Sequence, residues 1–246
     1  MNALQNAYAT LVKIAANKLA HFSLRRALAR DPLAARIGMF HAVMENGIPL
    51  PDEYALHIDE LVRIVEAHRK QGFTFVSLET LLAQKSAVAA RGMSVLTFDD
   101  GYAGVYTLAA PYLFAQGIPF TAYLTTDKLG RDGYLSSAQV RALSENPLCT
   151  IGSHLVTHPM TRFLSAAAVR AELVNSKIAL EALLHAPVKH LAFPFGSGYA
   201  VSARDVRLAR HAGYQSAALT LPAAFDPRRL NANYTLPRLH MLETGM

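Results

Sequence analysis

Strand-like and helix-like segments alternate along most of this chain. Apolar runs such as 94–98 and 148–153 are separated by stretches in which apolar residues recur every three or four positions, as at 54–70 and 165–184. Strands that are joined through helices pair in parallel by right-handed crossovers. Seven or eight such strands in 246 residues predict one closed α/β barrel rather than two domains.

The remaining segments follow the same alternation. The sequence predicts further strands over 36–41, 73–78, 119–125, 189–193, 215–219 and 236–241, a loop over 44–53, and further helices over 79–90, 104–116, from 136–137 onward and 202–212.

Four residues after two of these predicted strands could form a metal site. Asp99 and Asp100 follow the run 94–98, and His154 and His158 follow the run 148–153. Because successive side chains alternate along an extended segment, one carboxylate can bind a metal while the other stays free. Two imidazoles and one carboxylate leave positions open for water and substrate, as in catalytic zinc and non-haem iron sites. Asp99 would then be a general base beside the metal.

Each motif alone also has a simpler interpretation. An Asp-Asp-Gly sequence often forms a turn or a helix cap, and His-x-x-x-His is often a pair of surface or core histidines. Both motifs, and Pro194, nevertheless come directly after predicted strands. In a parallel barrel the carboxyl ends of the strands form the face on which active sites are built.

These residues resemble the motifs of the polysaccharide deacetylases of the NodB-homology type, also called carbohydrate esterase family 4. The sequence Thr-Phe-Asp-Asp-Gly stands at 97–101, and Phe-Pro-Phe-Gly stands at 193–196. The histidine motif matches at 154–158, except that Leu155 replaces a hydroxyl residue, and the stretch 172–177 is also similar to the family's. The resemblance covers roughly residues 37–240 and implies a distorted (β/α) barrel with a metal at its carboxyl face.

The resemblance implies hydrolysis of an N-acyl group, most directly an N-acetyl group, on an amino sugar of a polysaccharide or glycan precursor. Asp100, His154 and His158 would hold a divalent metal, with zinc favoured by the ligand types and iron, nickel or cobalt as alternatives. Asp99 would accept a proton from water. The backbone N–H of Phe195 would stabilise the oxyanion, while Pro194 shapes the turn or is simply part of a strand-ending turn.

Several positions depart from the family pattern. Ala192 stands where many members have the arginine that pairs with the catalytic aspartate, and Arg238 could supply a guanidinium from another strand or lie on the surface. His240 is the late candidate for the general acid; if it is a structural histidine instead, Asp99 would serve as both base and acid. His41, at the end of the first predicted strand, could contact the substrate or cap the strand. The chain has no tryptophan to form the wall of the family's usual acyl pocket, so the sequence does not predict which acyl group is removed.

The sequence leaves other functions open. One is a deformylase or deacylase of a nucleotide- or lipid-linked amino sugar. Another is a catalytically silent barrel that binds glycan. Leu155 and Ala192, which depart from the family pattern, favour this alternative. A third is hydrolysis of a non-sugar amide such as a cyclic imide or ureide. The oligomeric state is not indicated.

The positive charge is concentrated near the start of the chain. The segment 1–36 carries six basic residues and one acidic residue, whereas the formal net charge of the whole chain is +6. Nucleic-acid binding by the barrel, expected over 37–246, therefore gains little support. The segment 1–36 also has helical periodicity and could lie on an anionic membrane surface, pack on the barrel or act as a transit segment. No apolar run is suited to a membrane span or a clean signal peptide, so the sequence predicts a cytoplasmic protein. The segment 1–36, a basic leader, would then bind at the inner membrane surface.

Overall fold

The computed structural model of the chain describes residues 31–221, 223–228 and 232–241. Its main sheet has nine strands, all paired in parallel, and a separate pair is formed by β2 (Val43–Met44) and β3 (Leu56–His57). The strands of the main sheet are β1 (Arg36–Phe40), β4 (Thr74–Phe75), β5 (Met93–Phe98), β6 (Phe120–Leu124), β7 (Cys149–Ser153), β8 (His190–Ala192), β9 (Ser216–Leu219), β10 (Leu236–Pro237) and β11 (Leu239–His240).

Helices connect these strands on the outside of the sheet. They are α1 (Ile58–Lys70), α2 (Leu78–Leu82), α3 (Ala110–Ala115), which continues a π-helical turn over Val105–Ala109, α4 (Ser137–Glu145), α5 (Ala166–Leu184) and α6 (Ala203–His211). The predicted start of α4 is marked by a capping box in which Ser136 and Gln139 bond each other's backbone N–H. No helix of the described part of the chain combines the length and apolarity that crossing a membrane requires.

The last two strands close the sheet into a barrel. The strand order is β10-β9-β8-β7-β6-β5-β1-β11, with β4 paired to β5 beside this path. β10 and β11 lie at opposite ends of that order, yet only Arg238 separates them along the chain. The segment 236–240 therefore joins both edges of the sheet. The nearly closed α/β barrel predicted from the strand and helix alternation is confirmed.

The two faces of the strands pack into different clusters. In β5, Leu96 and Phe98 belong to the large apolar cluster, which also contains residues of the surrounding helices. Val95 belongs to a smaller cluster with Ile37 of β1 and Tyr123 of β6. Because side chains alternate along a strand, position 97 shares the face of Val95, and this face lies inside the barrel. The barrel is thus filled by side chains and is not a pore.

Several predicted boundaries were wrong, and the strand predicted over 236–241 is two strands, β10 and β11, on either side of Arg238. Helix α1 begins at Ile58 rather than near 54, because Leu56–His57 pairs with β2. The predicted strand over 73–78 is reduced to Thr74–Phe75. The predicted helix over 79–90 ends at Leu82, and a separate turn follows, in which the hydroxyl of Ser86 accepts the N–H of Ala89. Most of the predicted leader, residues 1–30, lies outside the described residues.

Gly104 allows a close approach between two segments. A Cβ on Gly104, just before the π-helical turn, would lie 1.8 Å from the carbonyl oxygen of Val43 in β2. That oxygen belongs to the backbone and cannot swing aside. Gly104 therefore lets the segment after Asp99 and Asp100 pack directly on β2.

Gly104→Ala is expected to lower the free energy of unfolding by about 1–3 kcal/mol, because overpacking forces the backbone to move. Gly198→Ala is the matched control, since a Cβ there would meet no atom within 4 Å. Urea unfolding followed by circular dichroism measures both variants. Equal stability of the two would contradict the packing described here.

Candidate active site

Asp99 and Asp100 diverge directly after β5. The N–H of Asp99 donates to the carbonyl of Phe40 at 2.8 Å, which continues the pairing with β1. Asp100 then adopts a left-handed conformation with φ of 71°, and Gly101 follows with φ of 86°. This turn sends the two carboxylates in different directions, although both are buried, with 2% and 4% of their surface exposed.

His154 and His158 bring their rings together in the turn after β7. The N–H of His154 donates to the carbonyl of Leu124 at 2.8 Å, and the two rings lie 4.9 Å apart. Nδ1 of His154 lies 2.8 Å from the carbonyl oxygen of Ala192. A carbonyl oxygen can only accept, so Nδ1 carries the proton and Nε2 keeps its lone pair.

One ligand atom from each of Asp100, His154 and His158 lies within 4.8 Å of the others. Burial lowers the pKa of His154, and burial together with the charge of His154 lowers the pKa of His158 to about 4. Both imidazoles are therefore neutral near pH 7, which is the form that binds a metal. The hydrogen bond from His154 to a carbonyl is a common orienting contact of metal-bound histidines. The residues fit a divalent metal with nitrogen and oxygen ligands.

Arg238 binds Asp99 from inside the barrel. Its two terminal nitrogens lie 2.6 and 2.7 Å from the two oxygens of the Asp99 carboxylate, and the first also donates to the hydroxyl of Thr97 at 3.2 Å. Burial raises the pKa of Asp99, but the charges of Arg238 and His154 and the hydrogen bonds from Arg238 outweigh it and bring this pKa to about 2. Asp99 is therefore ionised throughout the physiological range.

His41 and Asp52 form a second side-chain pair, which lies beside Asp100. Its Nδ1 lies 3.0 Å from Oδ2 of Asp52 and 3.8 Å from Oδ2 of Asp100, and its ring lies 4.8 Å from that of Tyr54. Burial lowers the pKa of His41, but the hydrogen bond to Asp52 and the nearby carboxylates give a net increase. Since Asp52 engages Nδ1, Nε2 is the ring nitrogen that can face a ligand.

His240 is placed differently from His41. Its ring lies 4.9 Å from the ring of Tyr54, on β11 next to β1. His41 lines the cavity described below, whereas His240 is not among the residues of that lining. The lining of that cavity thus contains both His41 and Asp99.

The turn at 193–196 approaches the site with Phe195. Pro194 is buried behind it, and Phe195 has φ of 60° and a ring 4.9 Å from that of His158. The backbone N–H of Phe195 has no hydrogen-bond acceptor among the described residues. Gly196 allows the turn to pack closely, because a Cβ there would lie 2.2 Å from the backbone nitrogen of Thr220.

Two further charged residues support the cluster of Asp100, His154 and His158. Oε2 of Glu172 on α5 accepts the backbone N–H groups of Val156 and Thr157 at 2.8 and 3.0 Å, and Oε1 accepts the hydroxyl of Thr157 at 2.7 Å. Glu172 thus fixes the loop that carries both histidines. Lys128 donates to Oδ1 of Asp100 at 2.9 Å and compensates its charge.

Backbone strain is concentrated at this site. Within the described residues, five non-glycine residues have positive φ, and all except His185 at the end of α5 lie here: Asp100, Leu155, His158 and Phe195. Each such conformation costs about 1–3 kcal/mol and persists only where the surrounding structure enforces it. Their clustering marks this face of the barrel as the functional one.

A cavity of about 380 Å³ opens at the same place. Its lining includes Met39, His41, Asp99, His158, Phe195 and Tyr199. The volume is at the small end of the range for small-molecule sites. Asp99 and His158, one of the three candidate metal ligands, can therefore both reach a group that enters this cavity.

Sequence reasoning missed Asp52, Lys128 and Glu172 as parts of the site. Asp52 lies in a predicted loop 11 residues after His41, and only the fold of that loop brings the two together. Glu172 lies in a stretch that was recognised as similar to the family's, but its contact with the histidine loop depends on how α5 packs. No local pattern identifies Lys128.

Comparison with known proteins agrees with the motifs. The sequence profile of the polysaccharide deacetylase family matches residues 87–217, which is more than half of the chain. YxkH of Bacillus subtilis (strain 168), named as a polysaccharide deacetylase, is 25% identical over 147 residues, which are 60% of this chain and 50% of that protein. The chain thus spans about half the length of this curated relative.

Solved structures share the fold. A polysaccharide deacetylase from Bacillus cereus superposes with a TM-score of 0.71 at 21% identity, covering 84% of this chain and 64% of that one. IcaB from Ammonifex degensii gives a TM-score of 0.71 at 20% identity, covering 84% of this chain and 91% of that one. The deacetylase PplD of Streptococcus pyogenes, solved with acetate, gives a TM-score of 0.65 at 22% identity, covering 76% of this chain and 84% of that one. The barrel, its ordered motifs and the profile match together show that this chain belongs to the polysaccharide deacetylase family.

Proposed function

We propose that the protein is a metal-dependent hydrolase that removes an N-acyl group, most directly N-acetyl, from an amino sugar. One observation carries this proposal: the carboxylate of Asp99, ionised near pH 7, lies beside a cluster of metal-ligand side chains, and one of these, His158, lines the same cavity as Asp99. A metal held only for structure would need no second carboxylate. The family membership and the acetate complex of PplD support the acyl group named here.

Asp100, His154 and His158 are the residues that would hold the metal, and zinc suits their donor types, with iron, nickel or cobalt as alternatives. When bound, a divalent metal supplies a Lewis acid that polarises the acyl carbonyl and acidifies water. Asp99 takes up the proton of the attacking water, because each carboxylate oxygen keeps a lone pair beyond its bond to Arg238. The backbone N–H of Phe195 is the further donor for the oxygen of the acyl group.

His41 is the group proposed to protonate the leaving amine. Breaking the C–N bond releases an amine that must gain one proton, and the acyl group leaves as a carboxylic acid. His41 lines the cavity, and Asp52 holds its Nδ1, so that Nε2 can donate. His240, which the sequence suggests for this role, stays the alternative.

Asp99→Asn is expected to lower kcat for acetate release from an N-acetylated amino sugar by about 100- to 10,000-fold, because the amide cannot accept the proton. Metal content, measured on the same sample, stays unchanged. The exposed Asp127→Asn serves as the control. A variant at Asp99 with wild-type activity would rule out the proposed base.

His41→Gln and His240→Gln compare the two candidate acids directly. We expect the change at His41 to reduce kcat by about 100-fold or more and the change at His240 to reduce it far less. Steady-state rates of acetate release across pH 5–9 measure the difference. The reverse order would assign the proton donor to His240.

Glu172→Gln is expected to weaken metal binding by about 10- to 100-fold, since the histidine loop loses the carboxylate that fixes it. Competition with a chromogenic chelator gives the Zn²⁺ dissociation constant without any measurement of turnover. Glu145→Gln, on the exposed end of α4, is the matched control. Identical affinities in the two variants would mean that Glu172 does not position the ligands.

A further inference from the structure

Lys128 and His158 converge on one oxygen of Asp100. Nζ of Lys128 lies 2.9 Å from Oδ1 of Asp100, and Nε2 of His158 lies 3.3 Å from the same oxygen. Two ligand atoms that bind one zinc ion tetrahedrally, with bonds of about 2.0–2.2 Å, are separated by about 3.4 Å. Oδ1 is therefore the oxygen of Asp100 that is placed to bind a metal together with His158. The ammonium group of Lys128 is bonded to that same oxygen.

Lys128 offsets the negative charge that would attract a metal to this cluster. Arg238 does the same for Asp99, so that each of the two adjacent carboxylates has its own cation. The two histidines of the cluster are neutral near pH 7 and add no negative charge. Asp100 is buried, with 4% of its surface exposed, and charges beside it are therefore weakly screened by solvent. An ammonium group and a divalent ion on the same buried carboxylate repel each other.

A second position for the ammonium group of Lys128 lies close by. Its Nζ is 5.2 Å from the centre of the Tyr134 ring and 6.0 Å from that of the Tyr102 ring, within reach of cation–π attraction. The two rings stack 4.8 Å apart, and a backbone bridge between the same two residues holds them together. The lysine side chain is 25% exposed and has a flexible four-carbon stem. Its ammonium group can therefore leave Asp100 and stay beside these rings.

We propose that Lys128 competes with the metal for Asp100 and thereby sets the metal affinity of the site. In the metal-free protein its ammonium group neutralises the buried carboxylate, and when a divalent ion binds, it withdraws toward the rings of Tyr102 and Tyr134. Competition of this kind rests on the proposed function, since it regulates the same metal site. Removing the charge of Lys128 then tightens metal binding, whereas removing a lysine that only oriented Asp100 would weaken it.

The test measures the Zn²⁺ affinity of full-length variants by competition with a chromogenic chelator. Lys128→Met removes the charge, and Lys128→Gln removes it while keeping a hydrogen-bond donor for Asp100. Both variants should bind Zn²⁺ about tenfold more tightly than the wild type, because the ion no longer meets an ammonium group on its ligand. Lys85→Met, at an exposed lysine after α2, is the matched control and should change nothing.

Thermal unfolding gives a second readout that is independent of turnover. In EDTA, Lys128→Met should unfold at a lower temperature than the wild type, because Asp100 is left buried without its cation. Excess Zn²⁺ should reduce or reverse this difference, since the variant binds the ion more tightly. Equal stability of the two proteins in EDTA would contradict the neutralising role of Lys128.

Unchanged or weaker Zn²⁺ binding by either neutral variant would overturn the competition. Acetate release by the wild-type protein separates this result from the proposed function. Release from an N-acetylated amino sugar, together with unchanged Zn²⁺ affinities, would overturn the competition alone. Tighter Zn²⁺ binding by both neutral variants, without acetate release from any such substrate, would support the competition and contradict the proposed reaction.

Discussion

The buried ion pair between Arg238 and Asp99 connects the closure of the barrel with the chemistry at its mouth. Arg238 occupies the break between β10 and β11, where the chain joins both edges of the sheet, and only 1% of its surface is exposed. A guanidinium in that position needs a carboxylate, because removing one partner of a buried pair costs about 3–5 kcal/mol. The fold therefore fixes the position and the charge of Asp99 at the same time.

The three carboxylates of the site stay ionised close together because each has its own basic partner. Arg238 binds both oxygens of Asp99, Lys128 contacts Asp100, and His41 contacts Asp52. Different partners also suit different roles. Asp99 is held in a bidentate pair and keeps lone pairs for a proton, whereas Asp100 faces two imidazoles and a partly exposed lysine. The same residue type can thus be suited to the role of a base or of a ligand by its surroundings.

Local patterns predicted the barrel and the core of the site, because both depend on where strands end. The runs before Asp99 and His154 are long and apolar, so the parallel arrangement and the shared carboxyl face followed from the sequence alone. Contacts set by tertiary packing were not accessible in this way. The pairing of Leu56–His57 with β2 shortened α1, and the fold of the loop after His41 brought Asp52 to it. Arg238 was considered as a partner of Asp99, but only the closure of the barrel shows why it can reach that carboxylate.

A crystal structure of the zinc-loaded protein, with anomalous diffraction recorded at the zinc edge, tests the central claim most directly. We predict one ion about 2.0–2.2 Å from Asp100, His154 and His158. Asp99 should remain paired with Arg238 and stay outside the coordination sphere. An ion bound by Asp99 with Asp100 free, or an ion bound away from both histidines, would contradict the account.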